Sequence, residues 1–283
     1  MKSKLIIILF FNMFIAVVFA GGYETLIKDI PLKDEESVVV NMDLALADLS
    51  IMSGNSKYIL KANVSYNPEL IDPIIEYNEG KIGILDIECE KRGRFNLEHI
   101  DTNENKWELA FTDKVPLEID LELGLGEGDL NLTGLQISDM SIDAGLSEIN
   151  LVFDKLNKQR IDRLKIESGL GEFVGKGLLN ANFERFQFSG GLGSSELHFT
   201  GKMNQPGDAE IEVGLGSIEV YLQKGLPVKI YAQKSFLSSV DLEDFRRVRD
   251  GVYISRNWDE NAQNRLELDL QVGLGSISVE WED

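Results

Sequence analysis

A three-residue phrase, Gly-Leu-(Gly/Ser), recurs six times in the last 160 residues of this 283-residue chain and limits what it can fold into. The copies begin at Gly124, Gly145, Gly169, Gly191, Gly214 and Gly273. Successive starts lie 21, 24, 22, 23 and 59 residues apart. Each copy is entered and left by alternating apolar residues. Ile211, Val213 and Leu215 share one parity, and Ile218 and Val220 the other; Ile142, Ala144 and Leu146 give way to Ile149 and Leu151 in the same manner. In a strand, residues i and i+2 face the same side, so an odd step turns the following side chains outward unless the chain bends there. Glycine permits such a bend and a close approach of neighbouring backbones. The phrase therefore predicts a corner, with its leucine, such as Leu215, pointing inward. In the first and fourth copies the step is five residues, Leu125 to Leu130 and Leu192 to Leu197, which reads as a two-residue insertion that keeps the faces intact.

Repetition near 22 residues predicts stacked units, each burying its apolar face against the next. The expected fold is all-β: a single-stranded, β-helix-like solenoid of ~22-residue rungs behind an N-terminal β cap. Three sections follow: residues 1–20 as a signal peptide, 21–113 as the cap section, and 114–283 as the repeat section. Within the cap section, Val38, Val40, Met42, Leu44 and Leu46 pass to Leu49 and Ile51 through Ala45-Leu46-Ala47, a degenerate seventh copy. Further strands are predicted over 58–66, 82–90 and 107–112. Arg92 to Lys106 reads as a surface loop. Between the fifth and sixth copies, acids followed by arginines predict a short helix over Ser239 to Arg249, with a loop carrying a few hydrogen-bonded turns as the alternative. Phe236, Phe245, Tyr253 and Trp258 mark that long gap as packed. A leucine-rich repeat needs an Asn or Cys ladder and a returning helix, and neither is read here.

Lys2 and Lys4, then an apolar run from Leu5 to Phe19 broken only by Asn12, then Ala20, match a secretory leader cut before Gly21. The alternative is an uncleaved membrane anchor, but the run is shorter than the roughly 20 apolar residues that span a bilayer. An exported chain, periplasmic or extracellular, with no stable membrane insertion after cleavage is the expectation. The one cysteine, Cys89, has no partner for an internal disulfide and reads as a small core residue. Acidic residues number 48 against 28 basic, a formal net charge of −20, which opposes binding to nucleic acid or anionic lipid.

No catalytic constellation stands out. The two histidines, His99 and His198, fall in a polar loop and on the outward parity of a strand. Ser217 and Ser276 follow the phrase as turn residues without a base beside them. Asp120, Glu122, Glu127, Asp129, Glu210, Glu212 and Glu219 occupy outward positions and read as a solvated face; a carbohydrate-active site built on Glu122 and Asp129 is the enzymatic alternative. Gly124 to Leu132 matches a calcium nonapeptide once, whereas that motif works in tandem copies. No catalytic, cofactor-binding or metal-ligating residue is assigned.

Trp107-Glu108-Leu109, then Val115-Pro116-Leu117 leading into Leu123-Gly124-Leu125-Gly126, with the closing Val272 to Val279, resembles the toast-rack domains of bacterial envelope proteins. These are similar to the C-terminal region of LiaF-type cell-wall-stress proteins and to adhesin-type domains. The resemblance spans roughly Val38 to the C-terminus. It implies a β-solenoid outside the cytoplasm with no enzymatic activity, no cofactor and no transferable site residues. The function expected is an adhesin-like binding or scaffold protein whose partner is an envelope protein or glycan. A LiaF-like stress-signalling accessory is the alternative; the chain lacks the multi-helix membrane region of LiaF-type proteins.

Overall fold

The computed structural model describes residues 14–20, 22–54, 56–92, 105–234 and 239–283, with side chains from residue 22 onward except those of Glu90, Lys91 and Lys234. His99, Phe236 and most of the expected 92–106 loop lie outside these residues. The first strands are β1 (Phe14–Ala20), β2 (Tyr23–Pro31), β3 (Ser37–Leu44), β4 (Ala47–Ser53), β5 (Tyr58–Tyr66), β6 (Ile71–Asn78), β7 (Ile82–Lys91) and β8 (Lys106–Phe111). Five long strands follow: β9 (Leu117–Asn131), β10 (Ile137–Val152), β11 (Ile161–Lys176), β12 (Phe183–Phe199) and β13 (Gly207–Gln223). The chain closes with β14 (Val228–Lys234), β15 (Ser239–Leu242), β16 (Arg246–Arg249), β17 (Val252–Ile254), β18 (Leu266–Val272) and β19 (Ser276–Glu282). Among the described residues the helical content is one 3-10 turn, Leu178–Ala181.

Each long strand contains one Gly-Leu-(Gly/Ser) phrase and runs through it, so a rung is a single bent strand with two limbs and a short return. The limbs stack in register. On the first limb the order is β6, β7, β3, β9, β10, β11, β12, β13, β18, β14, β17, β16. On the second it is β1, β2, β5, β8, β4, β9 to β13, β19, β15. Pairing is parallel from β7 to β14 and from β8 to β15, and antiparallel at the flanks. This is the expected all-β solenoid. β5, β7 and β8 cover the stretches predicted as strands.

Ala45-Leu46-Ala47 stands at the corner position: Leu44 pairs with Leu123 and Ala47 with Gly126. The sixth copy returns beside the fifth, Val272 against Val213 and Ser276 against Ser217. The 59-residue spacing arises because β14 and β15 form an outer rung beyond it. The segment expected as a helix is instead β15, a turn with Asp244 at φ 60°, and β16. Val240 sits beside Ile277 there, and ladder pairing with β19 overrides the charge order that suggested a helix.

The corner differs from expectation in one respect that matters. Ile142 and Ala144 face inward, Gly145 and Leu146 both face outward, and Ser147, Ile149 and Leu151 face inward again. The parity switch therefore falls before the leucine, within the glycine-leucine pair, and the leucine is expelled from the core. Leu215 is 48% exposed. There is no insertion in the first and fourth copies either. Gly128 and Ser195 occupy the inward positions filled by Ile149 and Phe173 in the neighbouring rungs. A Cβ on Gly128 would meet Ile149 Cδ1 at 2.7 Å, so the larger side chain of the next rung fills that space.

The core is a continuous stack of aliphatic side chains thickened by phenylalanines. Phe186 packs edge-on against Phe199, with ring centres 5.3 Å apart, and Phe173 lies 5.2 Å from Phe188. Such pairs contribute about 0.5–1.5 kcal/mol each beyond the area they bury. Two of the return turns are held by buried asparagines, Asn157 and Asn180. Asn157 Nδ2 donates to the Ile137 carbonyl at 2.7 Å, and its Oδ1 accepts from the Ile137 amide at 3.1 Å. One rung on, Asn180 Nδ2 donates to the Phe153 carbonyl at 2.8 Å. Buried backbone groups in tight turns need partners, and a short amide side chain supplies both kinds.

Candidate functional site

The corner is the most differentiated part of the surface. Its close stacking comes from the glycines on either side of the leucine. At the trailing position a Cβ on Gly193 would lie 2.0 Å from the Gly171 carbonyl oxygen, and the residue has φ 140°. No L side chain fits that geometry. At the leading position a Cβ on Gly145 would come within 2.6 Å of the Gly124 oxygen. Gly214, the glycine singled out by parity, is the relaxed member: a Cβ there would meet the Gly191 oxygen at an ordinary 3.5 Å.

With the backbones so close, the leucines between them form a ridge along the outside of the corner. Leu125, Leu146, Leu170, Leu192 and Leu215 pair in register, and the Leu274 amide bonds to the Gly214 carbonyl. Exposure runs from none at Leu46 through partial at Leu125 to 55% at Leu146, 44% at Leu170, 50% at Leu192 and 54% at Leu274. Two polar rows flank the ridge. The row before it comprises Glu122, Asp143, Glu167, Ser189, Glu212 and Gln271. The row after it comprises Glu127, Glu148, Glu172, Ser194, Ser217 and Ser276. An open trough of 730 Å³ runs beside the ridge, with Asp143, Glu167, Glu212 and Gln271 on its lining and the backbones of Gly169 and Gly191 at the corner. Glu167 is paired with Lys165 at 2.5 Å. Among the described residues the other carboxylates of the two rows have no ion pair.

A second depression of 330 Å³ lies on the first limb, lined by Gln187, Asp208, Glu210, Tyr231 and Asp269 among others. Burial, then the neighbouring Glu267 charge, pushes the Asp208 carboxyl above its ordinary range; burial and then Glu210 do the same for Asp269. Glu210 itself accepts from Gln187 at 3.2 Å and Gln271 at 3.1 Å.

The carboxylates singled out from sequence do not converge. Glu122 lies on the first limb and Asp129 on the second, where Asp129 accepts a hydrogen bond from Asn150 at 3.2 Å. His198 faces outward as expected but is not free. Its ring stacks on Tyr221 with centres 4.6 Å apart, and Nδ1 lies 3.0 Å from Glu282. Tyr221 donates to Glu219, and that bond raises its hydroxyl to about 12. Cys89 is buried, as expected, and burial lifts its thiol to about 11. Among the described residues no group of three or more His, Cys, Asp or Glu side chains is arranged to hold a metal ion. Ser217 and Ser276 are members of the polar row after the ridge, one rung apart.

Residues 20–174, more than half of the chain, match the family described as the N-terminal domain of toast_rack, DUF2154. The chain belongs to the toast-rack family. The match runs across residue 113 and ends inside β11, yet the toast-rack corner continues unchanged through β12, β13 and the β18–β19 rung. Trp107, which carries part of the resemblance, is fully buried on β8, and the Pro116 carbonyl accepts from the Val38 amide at 3.0 Å where β9 begins. Similar solved structures include a candidate cell adhesion protein from Clostridium sporogenes, with 21% identity, TM-score 0.49, and coverage of 92% of this chain and 100% of that one. A candidate adhesin from Bacteroides fragilis has 13% identity, TM-score 0.39, and coverage of 90% and 96%. No curated protein is significantly similar to this chain. Among the described residues no helix is long and apolar enough to cross a membrane.

The leucine ridge is what sequence reasoning missed. The signal was present: a large apolar residue kept in all six copies between residues that never carry a bulky side chain.

Proposed function

We propose that this toast-rack protein is a non-catalytic, adhesin-like binding and scaffold protein that works outside the cytoplasm. The observation that carries this reading is the exposed leucine ridge. Monomeric proteins rarely leave a contiguous apolar patch uncovered unless it meets something. A stack of in-register rungs offers a long, stiff surface of the kind repeat proteins use for binding. The outward carboxylates lie on two separate limbs rather than around one reacting atom, which favours recognition over catalysis. Export is supported by the leader-like sequence of residues 1–20, although the uncleaved chain pairs its last seven residues, Phe14–Ala20, with β2; an envelope protein or glycan is the partner class that such a location supplies.

The test is binding of the exported protein to isolated cell-envelope fractions, cell-wall fragments and a glycan panel. Saturable binding to one of these is expected. Absence of binding to all three, or polysaccharide hydrolysis that disappears in Glu122→Gln or Asp129→Asn, would replace this reading with another.

A further inference from the structure

We propose that the leucine ridge and the carboxylate rows beside it dock a basic amphipathic helix from a partner polypeptide. The inference rests on the binding reading above and names the partner's chemistry.

Spacing selects a helix. Adjacent rungs are ~4.8 Å apart, so the leucines repeat at that interval. A helix laid along the ridge presents one apolar position per turn, every ~5.4 Å. Over the four intervals from Leu146 to Leu274 the mismatch grows to roughly 2.4 Å, within reach of leucine rotamers. An extended strand repeats the same face every ~6.7 Å and drifts by nearly 8 Å over that length. The open part of the ridge, about 19 Å long, matches roughly 13 residues of helix.

Charge selects the sign. Asp143 and Glu212 on one side and Glu148 and Glu172 on the other are exposed and, among the described residues, have no ion pair. Lysine or arginine side chains flanking an apolar stripe reach these rows while their stems lie along the leucines. The trough beside the ridge has room for them. A second copy of this chain would bring like charges together, since the net charge is −20, and an anionic lipid surface is opposed for the same reason. The chain's own fold buries the ridge at one end, at Leu46, and leaves it open from Leu146 onward.

The experiment measures fluorescence anisotropy of a labelled ~14-residue Lys/Leu peptide with helical amphipathic spacing against the full exported protein. Controls are a scrambled peptide of the same composition and an acidic peptide with the same leucines. The expected result is saturable binding of the amphipathic basic peptide, weakened at least tenfold by Leu170→Ser/Leu192→Ser/Leu215→Ser. Asp143→Lys/Glu212→Lys should weaken it similarly and flatten its dependence on salt. Circular dichroism checks that each variant keeps its β spectrum; if the leucine variant does not, the charge variant and the scrambled peptide decide. Equal binding of the scrambled peptide, unchanged affinity in both variants, preferential binding to anionic vesicles, or ridge-dependent self-association in sedimentation would each overturn the proposal. Envelope binding that survives the leucine variant would leave the binding function in place and remove only the ridge from it.

Discussion

The corner of the first rung and the corners of the later rungs share one backbone course but differ in composition, and the difference has a direction. Ala45 and Ala47 stand where later rungs have glycine. At nearly every later corner the absent Cβ would point at the rung laid down before it: Gly124 at Ala45, Gly126 at Ala47, Gly169 at Gly145, Gly216 at Gly193. A Cβ on Gly126 would fall 1.8 Å from the Ala47 oxygen. The first bent rung has no earlier corner of its own kind for its alanines to strike. The close approach comes from the neighbour on one side only, so the stack can begin with alanine, whereas most later corner positions have no room for a Cβ. Ser147 is the exception. It sits in the trailing position between Gly126 and Gly171, and among the described residues its buried hydroxyl finds no partner.

Breaking this asymmetry should give the largest effect. Gly193→Val places a branched side chain at φ 140° against the Gly171 carbonyl, and chemical denaturation should register a loss of about 4 kcal/mol or more. Ala47→Gly, the reverse exchange at the first corner, should cost no more than about 1 kcal/mol through chain entropy. Losses of equal size at the two sites would refute the directional account.

Inside and outside of the same rung form the next contrast. Phe186 is fully buried between Phe183 and Phe199, and Phe186→Ala should cost about 3–5 kcal/mol. Leu215→Ala removes a half-exposed side chain and should change stability by about 0.5 kcal/mol or less. A multi-kilocalorie loss at Leu215 would mean that the leucine is buried after all.

The smallest effect is electrostatic. The folded-state pKa of Asp269 is raised by burial and by Glu210, so the native chain holds this proton more tightly than the unfolded chain. Its contribution is most favourable below the ordinary value of 3.8 and is lost as pH rises through the raised folded value. Asp269→Asn should therefore raise the melting temperature slightly at neutral pH and bring no gain at pH 3. A gain that does not shrink on acidification would contradict the assignment. Processing can be checked separately by the mass of the exported protein: cleavage before Gly21 would remove β1 and leave β2 as the outer strand of the second limb, whereas a mass that includes residues 1–20 would refute the leader reading.

Much of this fold was legible in the residues. The spacing of the glycine phrases, the alternation around them and the parity switch predicted bent strands stacked in register, and Ala45-Leu46-Ala47 was recognisable as the same corner. The side of the leucine was not legible. Counting parity shows which residues share a face before the bend and which share one after it. A step of three between inward residues can expel either of two adjacent pairs, and both give the same pattern of letters. The helix expected over 239–249 failed for a related reason: local charge order says nothing about an open strand edge at β19. The trough beside the ridge was invisible, because its lining comes from rungs separated by some 20 residues or more in sequence.

The sequence by itself determined that the chain bends at regular intervals, where residues without bulk allow carbonyl groups to approach, and that its alternating apolar residues stack between bends. Tertiary structure alone decided which way each bend throws its leucine. That choice depends on where the preceding rung's carbonyl lies, a relation between segments that no single stretch of sequence contains.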